Sequence, residues 1–304
     1  MRPVSRLSEL PEIVISLNKR FKVAVVMAED KNTIEAVIAG ILNGFLKPIF
    51  IGNKQLIISL IPDELLLNEN AFDIVECEDP KEASDLAVDM VNNGEADILM
   101  KGLINTDIFL KSVLNKEKGL MKEEGVLSYV CALELPAYHK LLFITDPAVL
   151  PFPSKKQKIA MAQYAIDMTN KLGINEPKVA LIGASEKVSE HFPNSLDYQE
   201  MKEMAAQGGF GKCIMDGPLD VFLACDPESL KTKKIISPIE GDADVLLFPS
   251  LEASNPFYKG LMLFGNGDLA GLIQGTTHPV VVMSRSESFK SKYYCLALAC
   301  LMSN

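Results

Sequence analysis

The stretch KVAVVMAEDKNTIEAVIAGIL, residues 22–42, decides how the fold is read. Its opening run KVAVVM (22–27) is almost wholly apolar, the pattern of a short strand buried on both faces. A polar AED (28–30) follows, and then Ile34, Val37, Ile38 and Ile41 fall on one stripe at helical spacing. Strand, polar exit and amphipathic helix in succession are the start of a βαβ unit, which places its strands in a parallel sheet.

The same rhythm recurs along the chain. Apolar runs predict strands at 48–51, 74–77, 97–100, 141–145, 179–182, 213–215, 245–248, 272–273 and 280–283. Helical spacing predicts helices at 4–19, 81–92, 106–114, 155–171, 198–207 and 289–302. KVAVVMAED (22–30) and KVALIGASE (178–186) are alike, which points to two similar α/β halves. The Pro-rich TDPAVLPFPS (145–154) is a natural crossing point between them.

With 304 residues the chain is long enough for two packed domains. A formal charge of -10 argues against a nucleic-acid or anionic-membrane partner, because a phosphate surface needs a net basic face. No apolar run nears the roughly 20 residues of a membrane span, so the expected place is the cytoplasm. The six cysteines never form Cys-x-x-Cys, and the three histidines are not spaced as a metal pair, so neither zinc nor a disulfide framework is expected.

Most predicted strands stop in a polar tag: AED (28–30), KGLINTD (101–107), TDP (145–147), GASEK (183–187), DGPLD (216–220), PSLEASNP (249–256) and SRSE (284–287). In parallel sheets such exits share one edge, where ligands collect. Any single tag is more readily a helix cap or a turn; the seven together point to a site. The common nucleotide loops fail. A Walker pattern would need Gly at Ala206 and Ser or Thr at Cys213. Gly265-x-Gly267-x-x-Ala270 lacks the acidic residue that a dinucleotide loop requires, and a helix C-terminal turn explains it better.

Taken in order, LMKGLINTD (99–107), ITDPAVLPFPSKKQK (144–158), Glu186 after KVALIGAS, MDGPL (215–219), ADVLLFPSLEASNPFYKGL (243–261) and HPVVVMSRSES (278–288) carry a resemblance. The chain resembles the phosphate acetyl/butyryltransferase family, and within it the phosphate butyryltransferase branch. The resemblance implies two α/β domains with mostly parallel sheets around a cleft, similar to the isocitrate and isopropylmalate dehydrogenases. The C-terminal segment would return to the first domain, giving 1–146 with 279–304 and a second domain at 147–278. It also implies a homodimer that moves an acyl group between coenzyme A, a substrate rather than a bound cofactor, and inorganic phosphate.

The resemblance places Ser284 and Arg285 at the reacting centre. Such a transfer develops an oxyanion while a phosphate enters or leaves, which calls for a fixed cation and directed donors. The Arg285 fork can hold two phosphate oxygens, and Ser284 can donate to the acyl oxygen or the phosphate. Glu287 is the candidate base for the coenzyme thiol. Lys101, Gly102, Thr106, Asp146, Glu186, Asp216, Gly217, Asn255 and Lys259 keep the family pattern as expected binding residues. Tyr129, Phe222 and Ser291 depart from it, standing where the family tends to place His, Asp and, in acetyltransferases, Asp. Phosphate acetyltransferase specificity, a weakly active or non-catalytic binding paralogue, and a dehydrogenase of the related fold are the competing readings. The dehydrogenase would need clustered metal carboxylates and a nucleotide loop.

Overall fold

The structure is a computed structural model and describes residues 2–68, 70–284 and 287–303. The first part of the chain forms α1 (Glu9–Ser16), β1 (Phe21–Val26), α2 (Lys31–Leu42), β2 (Leu46–Gly52), α3 (Lys54–Ser59), α4 (Asp63–Leu66) and β3 (Asp73–Glu76). It continues through α5 (Pro80–Asn92), β4 (Ile98–Lys101), α6 (Thr106–Val113), β5 (Ser128–Glu134), β6 (Leu142–Thr145), α7 (Lys155–Lys171), β7 (Lys178–Ile182) and α8 (Pro193–Ala206). Then come β8 (Ile214–Leu219), α9 (Val221–Cys225), α10 (Pro227–Lys233), β9 (Val245–Leu247), α11 (Leu251–Phe264), β10 (Asp268–Gln274), β11 (Val280–Val281) and α12 (Phe289–Ser303).

The chain divides into two compact units. The N-terminal unit is Ser8–Gly125 with Ala270–Asn304, and the central unit is Val126–Leu269 with Met1–Leu7. In the N-terminal unit the strand order is β3-β2-β1-β4-β11-β10; all neighbours are parallel except β10, which runs against β11. The central unit has the order β5-β6-β9-β7-β8, parallel but for β5 against β6. This is an α/β fold with a mostly parallel sheet arrangement, as strand and helix alternation predicts.

Burial explains why these residues are strands. Val23, Ala24, Val25 and Val26 of β1 and all four residues of β4 are buried, so both faces are covered. Helix α2 covers one face with Ile34, Val37 and Ile38, and α5 packs Ala83, Ala87, Val88 and Val91. The helices begin where the sequence supplies caps: Asp79 with Pro80 opens α5, and Ser154 with Gln157 forms a reciprocal capping box on α7. Nearly every side chain of α12 from Ser291 to Leu301 is buried, which makes this helix the centre of its layer. Among the described residues no helix is long and apolar enough to cross a membrane.

By contact the units part at Gly125/Val126 and Leu269/Ala270, while the domain boundaries expected from the resemblance are 146/147 and 278/279. The reason is sheet pairing: β5 and β6 pair with each other, and β6 pairs with β9, so residues 128–145 belong with the central unit. The DGPL of 216–219 does not leave the sheet. A register shift between Ala180 and Ile182 lets β8 run on to Leu219, which lies opposite Ile182. Much of the tag PSLEASNP is the start of α11, capped by Ser250. Strand β11 is only two residues long and has one antiparallel neighbour, so its setting is mixed. Gly265 does close a helix, as the sequence suggests, at the end of α11.

Candidate active site

In the N-terminal unit the parallel strands β1, β2, β3, β4 and β11 all end at one edge. Lys101 is the last residue of β4, opposite Val26 of β1, and is only 5% exposed. Its ammonium donates to the carbonyl of Gly102 at 3.3 Å. The chain then turns hard against the exit of β1: Gly102 N donates to Val26 O at 2.8 Å and Leu103 N to Met27 O at 2.6 Å. A Cβ on Gly102 would lie 2.7 Å from Val26 O and against Met27 O, so only glycine permits this approach. Thr106 is exposed in the first turn of α6, which Asn105 caps.

Ser284 is exposed just past β11, and its carbonyl accepts from Glu287 N at 3.2 Å. Glu287 is half-buried. Arg285, expected to hold phosphate, lies outside the described residues. Ser288 Oγ accepts from Ser291 N and donates to Ser291 Oγ, both at 3.1 Å, at the start of α12. Ser291, one of the departures from the family pattern, is thus buried inside a cap.

In the central unit Asp146 follows β6 and is 2% exposed. One carboxylate oxygen accepts from Ala148 N and Val149 N, each at 2.8 Å. The other accepts from Ser128 Oγ at 3.0 Å, Tyr129 N at 3.1 Å and Leu150 N at 3.2 Å. Burial pushes this carboxyl above its ordinary value, while hydrogen bonds from Ala148, Val149, Ser128 and Tyr129 pull the other way. Ser254 Oγ donates to Asp146 O at 2.5 Å and Asn255 Nδ2 to Pro147 O at 2.8 Å, so α11 clamps the same loop. Asp146 and Asn255 therefore organise the strand exit, and both oxygens of Asp146 are engaged within the protein.

Asp216 lies within β8. Its carboxylate accepts from Lys202 Nζ and from Ser237 Oγ, both at 2.6 Å. Lys202 also reaches Gly217 O at 3.1 Å. A Cβ on Gly217 would sit 2.5 Å from Leu181 O, which explains the glycine by strand packing. Glu186 is exposed in the turn after β7. It lies in the field of Lys233, whose ammonium is raised first by its hydrogen bond to Asp220 and in part by Glu186. Lys259 is exposed on α11.

Tyr129 is in strand β5, with its ring buried. Phe222, in contrast, is 71% exposed in the first turn of α9. Residues that sequence reasoning missed are the supporting ones: Ser128, Ser254, Lys202, Ser237, and buried Lys292 with its half-buried partner Asp30. For Lys292 a signal existed, since it shares a helical stripe with Cys295 and Ala299 and a cation there needs a partner. Among the described residues no group of three or more His, Cys, Asp or Glu is placed to hold a metal ion.

These observations define an α/β protein of two units, with polar side chains gathered at the carboxyl ends of parallel strands. The family described as phosphate acetyl/butaryl transferase matches residues 77–300, and the chain belongs to that family. It is similar to the phosphate butyryltransferase of Clostridium beijerinckii, 36% identical over 98% of this chain and 96% of the relative. It is also similar to the phosphate acetyltransferase of Thermotoga maritima, 34% identical over 94% of this chain and 97% of the relative. Among solved structures, a branched-chain phosphotransacylase from Enterococcus faecalis is 32% identical with a TM-score of 0.80, covering 93% of this chain and 99% of that one.

Proposed function

We propose that this chain is an acyltransferase that moves a short-chain acyl group between coenzyme A and inorganic phosphate: butyryl-CoA + phosphate = butyryl phosphate + CoA. The observation that carries this reading is the near full-length similarity to a phosphate butyryltransferase. A phosphate oxygen attacks the thioester carbonyl, the new C–O bond forms as the C–S bond breaks, and the proton released from phosphate ends on the departing thiolate. Phosphate and acyl-CoA react in a ternary complex, without a covalent enzyme intermediate and without a resident cofactor.

In this scheme Arg285 holds the phosphate oxygens, and Ser284 donates to the acyl oxygen or the phosphate. Glu287 handles the thiol proton in the reverse direction; a thiol of ordinary pKa, roughly 8.5, is only a few per cent ionised at neutral pH. Support for Glu287 comes from Ser291, which is buried in the α12 cap and offers no carboxylate where acetyltransferases are expected to carry one. Lys101, Thr106, Glu186 and Lys259 are assigned to substrate binding. Gly102 and Gly217 allow close backbone approach, while Asp146, Asp216 and Asn255 hold the loops around them. The working assembly is a homodimer with a cleft between two domains, as in the isocitrate dehydrogenases.

The test is thiol release from acetyl-, propionyl-, butyryl- and isobutyryl-CoA on adding phosphate, with Arg285→Ala alongside. Phosphate-dependent release that falls at least about a hundredfold in the variant supports the reading and ranks the acyl chains. Coenzyme A binding with no release from any of them replaces it with the non-catalytic paralogue.

A further inference from the structure

Helix α12 carries a charged residue where its neighbours are apolar. Lys292 is 2% exposed, between Ser291 and the buried run from Tyr294 to Leu301. A buried ammonium is tolerated only when it is paired and hydrogen-bonded. Here Nζ donates to Asp30 Oδ2 at 2.7 Å and to Thr33 Oγ1 at 3.2 Å. Asp30 is in turn the cap of α2, accepting from Thr33 N at 2.9 Å, and stands directly past β1.

The exit of β1 is therefore a joint with two attachments. Residues 26 and 27 hold the Gly102–Leu103 turn through the two backbone hydrogen bonds described above. Four residues from Val26, Asp30 holds the first turn of α12 through Lys292. From Lys292 the bonding continues back along the chain: Lys292 N donates to Ser288 O at 3.1 Å, Ser288 Oγ caps Ser291, and Glu287 N donates to Ser284 O at 3.2 Å. Ser284 and Glu287 are thus tied, through one ion pair between buried Lys292 and half-buried Asp30, to the strand end that also supports Lys101 and Gly102.

We propose that Asp30 and Lys292 are positioning residues for acyl transfer, holding Ser284, Glu287 and Ser288 to the same strand end that supports the Lys101–Gly102 turn; this rests on the acyltransferase reading above. Neither side chain touches substrate in this scheme. Their role is geometric, and small displacements of reacting groups have large effects on rate.

The experiment uses the full chain with Lys292→Met, Lys292→Arg, Asp30→Asn and the double variant Asp30→Asn/Lys292→Met. Three quantities are read: the urea unfolding midpoint, kcat with KM for butyryl-CoA and phosphate, and amide exchange at Ser284 and residues 287–291. Lys292→Met alone leaves half-buried Asp30 without its cation, so both midpoint and kcat fall. The double variant removes the unpaired charge and keeps a capping side chain, so the midpoint recovers. Its kcat stays about tenfold or more below wild type, with KM for butyryl-CoA within about twofold. Its amides at Ser284 and 287–291 exchange faster than in the wild type, and Lys292→Arg retains the larger part of kcat.

A double variant with wild-type kcat and wild-type exchange overturns the proposal, as does a kcat that tracks the unfolding midpoint across all four. If the wild-type chain releases no thiol from any acyl-CoA, the acyltransferase reading fails, and the exchange measurement still decides whether the pair holds these residues.

Discussion

Replacing Asp146 by Asn removes little volume and tests whether this carboxylate is the organiser of a strand exit. In the native chain five donors converge on it, four of them backbone N–H groups. An Asn whose carbonyl keeps Ala148 and Val149 presents its amide nitrogen to Ser128 Oγ, Tyr129 N and Leu150 N. The hydroxyl can rotate and accept; the two N–H groups cannot. A buried donor left without an acceptor costs about 1–3 kcal/mol; Tyr129 is buried and Leu150 half-buried, so the pair costs up to about 4 kcal/mol. Relief from burying a charge acts in the opposite direction, since burial raises the Asp146 pKa. The net expectation is a loss of about 2–3 kcal/mol. Asp146→Ala, which leaves all five donors stranded, should lose more. The chain has no tryptophan, so urea unfolding is followed by far-UV circular dichroism and tyrosine fluorescence. A midpoint for Asp146→Asn equivalent to less than about 0.5 kcal/mol from wild type, at unchanged slope, refutes the account.

Gly102→Ala forces a Cβ against the carbonyls of Val26 and Met27; we expect a loss of at least about 2 kcal/mol by thermal unfolding, and a reduced kcat because the Lys101 turn must shift. Acid stability reports Asp30. Burial alone would raise its pKa, but Lys292 and Thr33 hold it below the ordinary 3.8. Its contribution is therefore complete above that value and disappears as pH falls through the lower folded-state value. Urea midpoints measured from pH 7 to pH 3 should fall less steeply at the acid end in Asp30→Asn than in wild type. Cys295 is fully buried, its thiol pushed up to about 12 by burial, and Cys300 is raised for the same reason. Brief alkylation at pH 8 followed by mass spectrometry should find both unmodified in the folded chain and modified in urea.

Strands and helices with one period and one cap were legible in the sequence, and those with conflicting signals were not. KVAVVM and the stripe of Ile34, Val37 and Ile38 correspond to β1 and α2 because burial on two faces and on one stripe leaves different patterns. Strand β5 escaped: SYVCALE is buried at its first six positions, so it has no alternation, and a short continuous apolar run reads equally as helix or strand. Helix α11 escaped because Asn255-Pro256 is a turn signal, yet Pro256 sits early in the helix, with Ser254 and Asn255 bonded back to the Asp146 loop. The Asp-Gly-Pro of 216–218 read as a turn for the same reason, whereas a shift in pairing register keeps it inside β8.

The polar strand exits were legible as a group, but their division of labour was not. Asp30, Asn105, Asp220 and Ser250 cap helices, which is the ordinary use of those residue types. Asp146 and Asp216 spend their oxygens on protein donors, while Thr106, Glu186 and Lys259 stand exposed. A motif records both kinds together, because a group that binds substrate works only if another group holds its loop still. What separates them is whether an oxygen or nitrogen is already engaged by the fold, and that depends on partners far away in sequence: Ser237 for Asp216, 21 residues on, and Asp30 for Lys292, 262 residues back. The position of Lys292 follows from this. It lies beyond the polar tag, on a helix whose other buried side chains are mostly apolar, and its relevance to the exits becomes visible only once β1 and α12 are brought together.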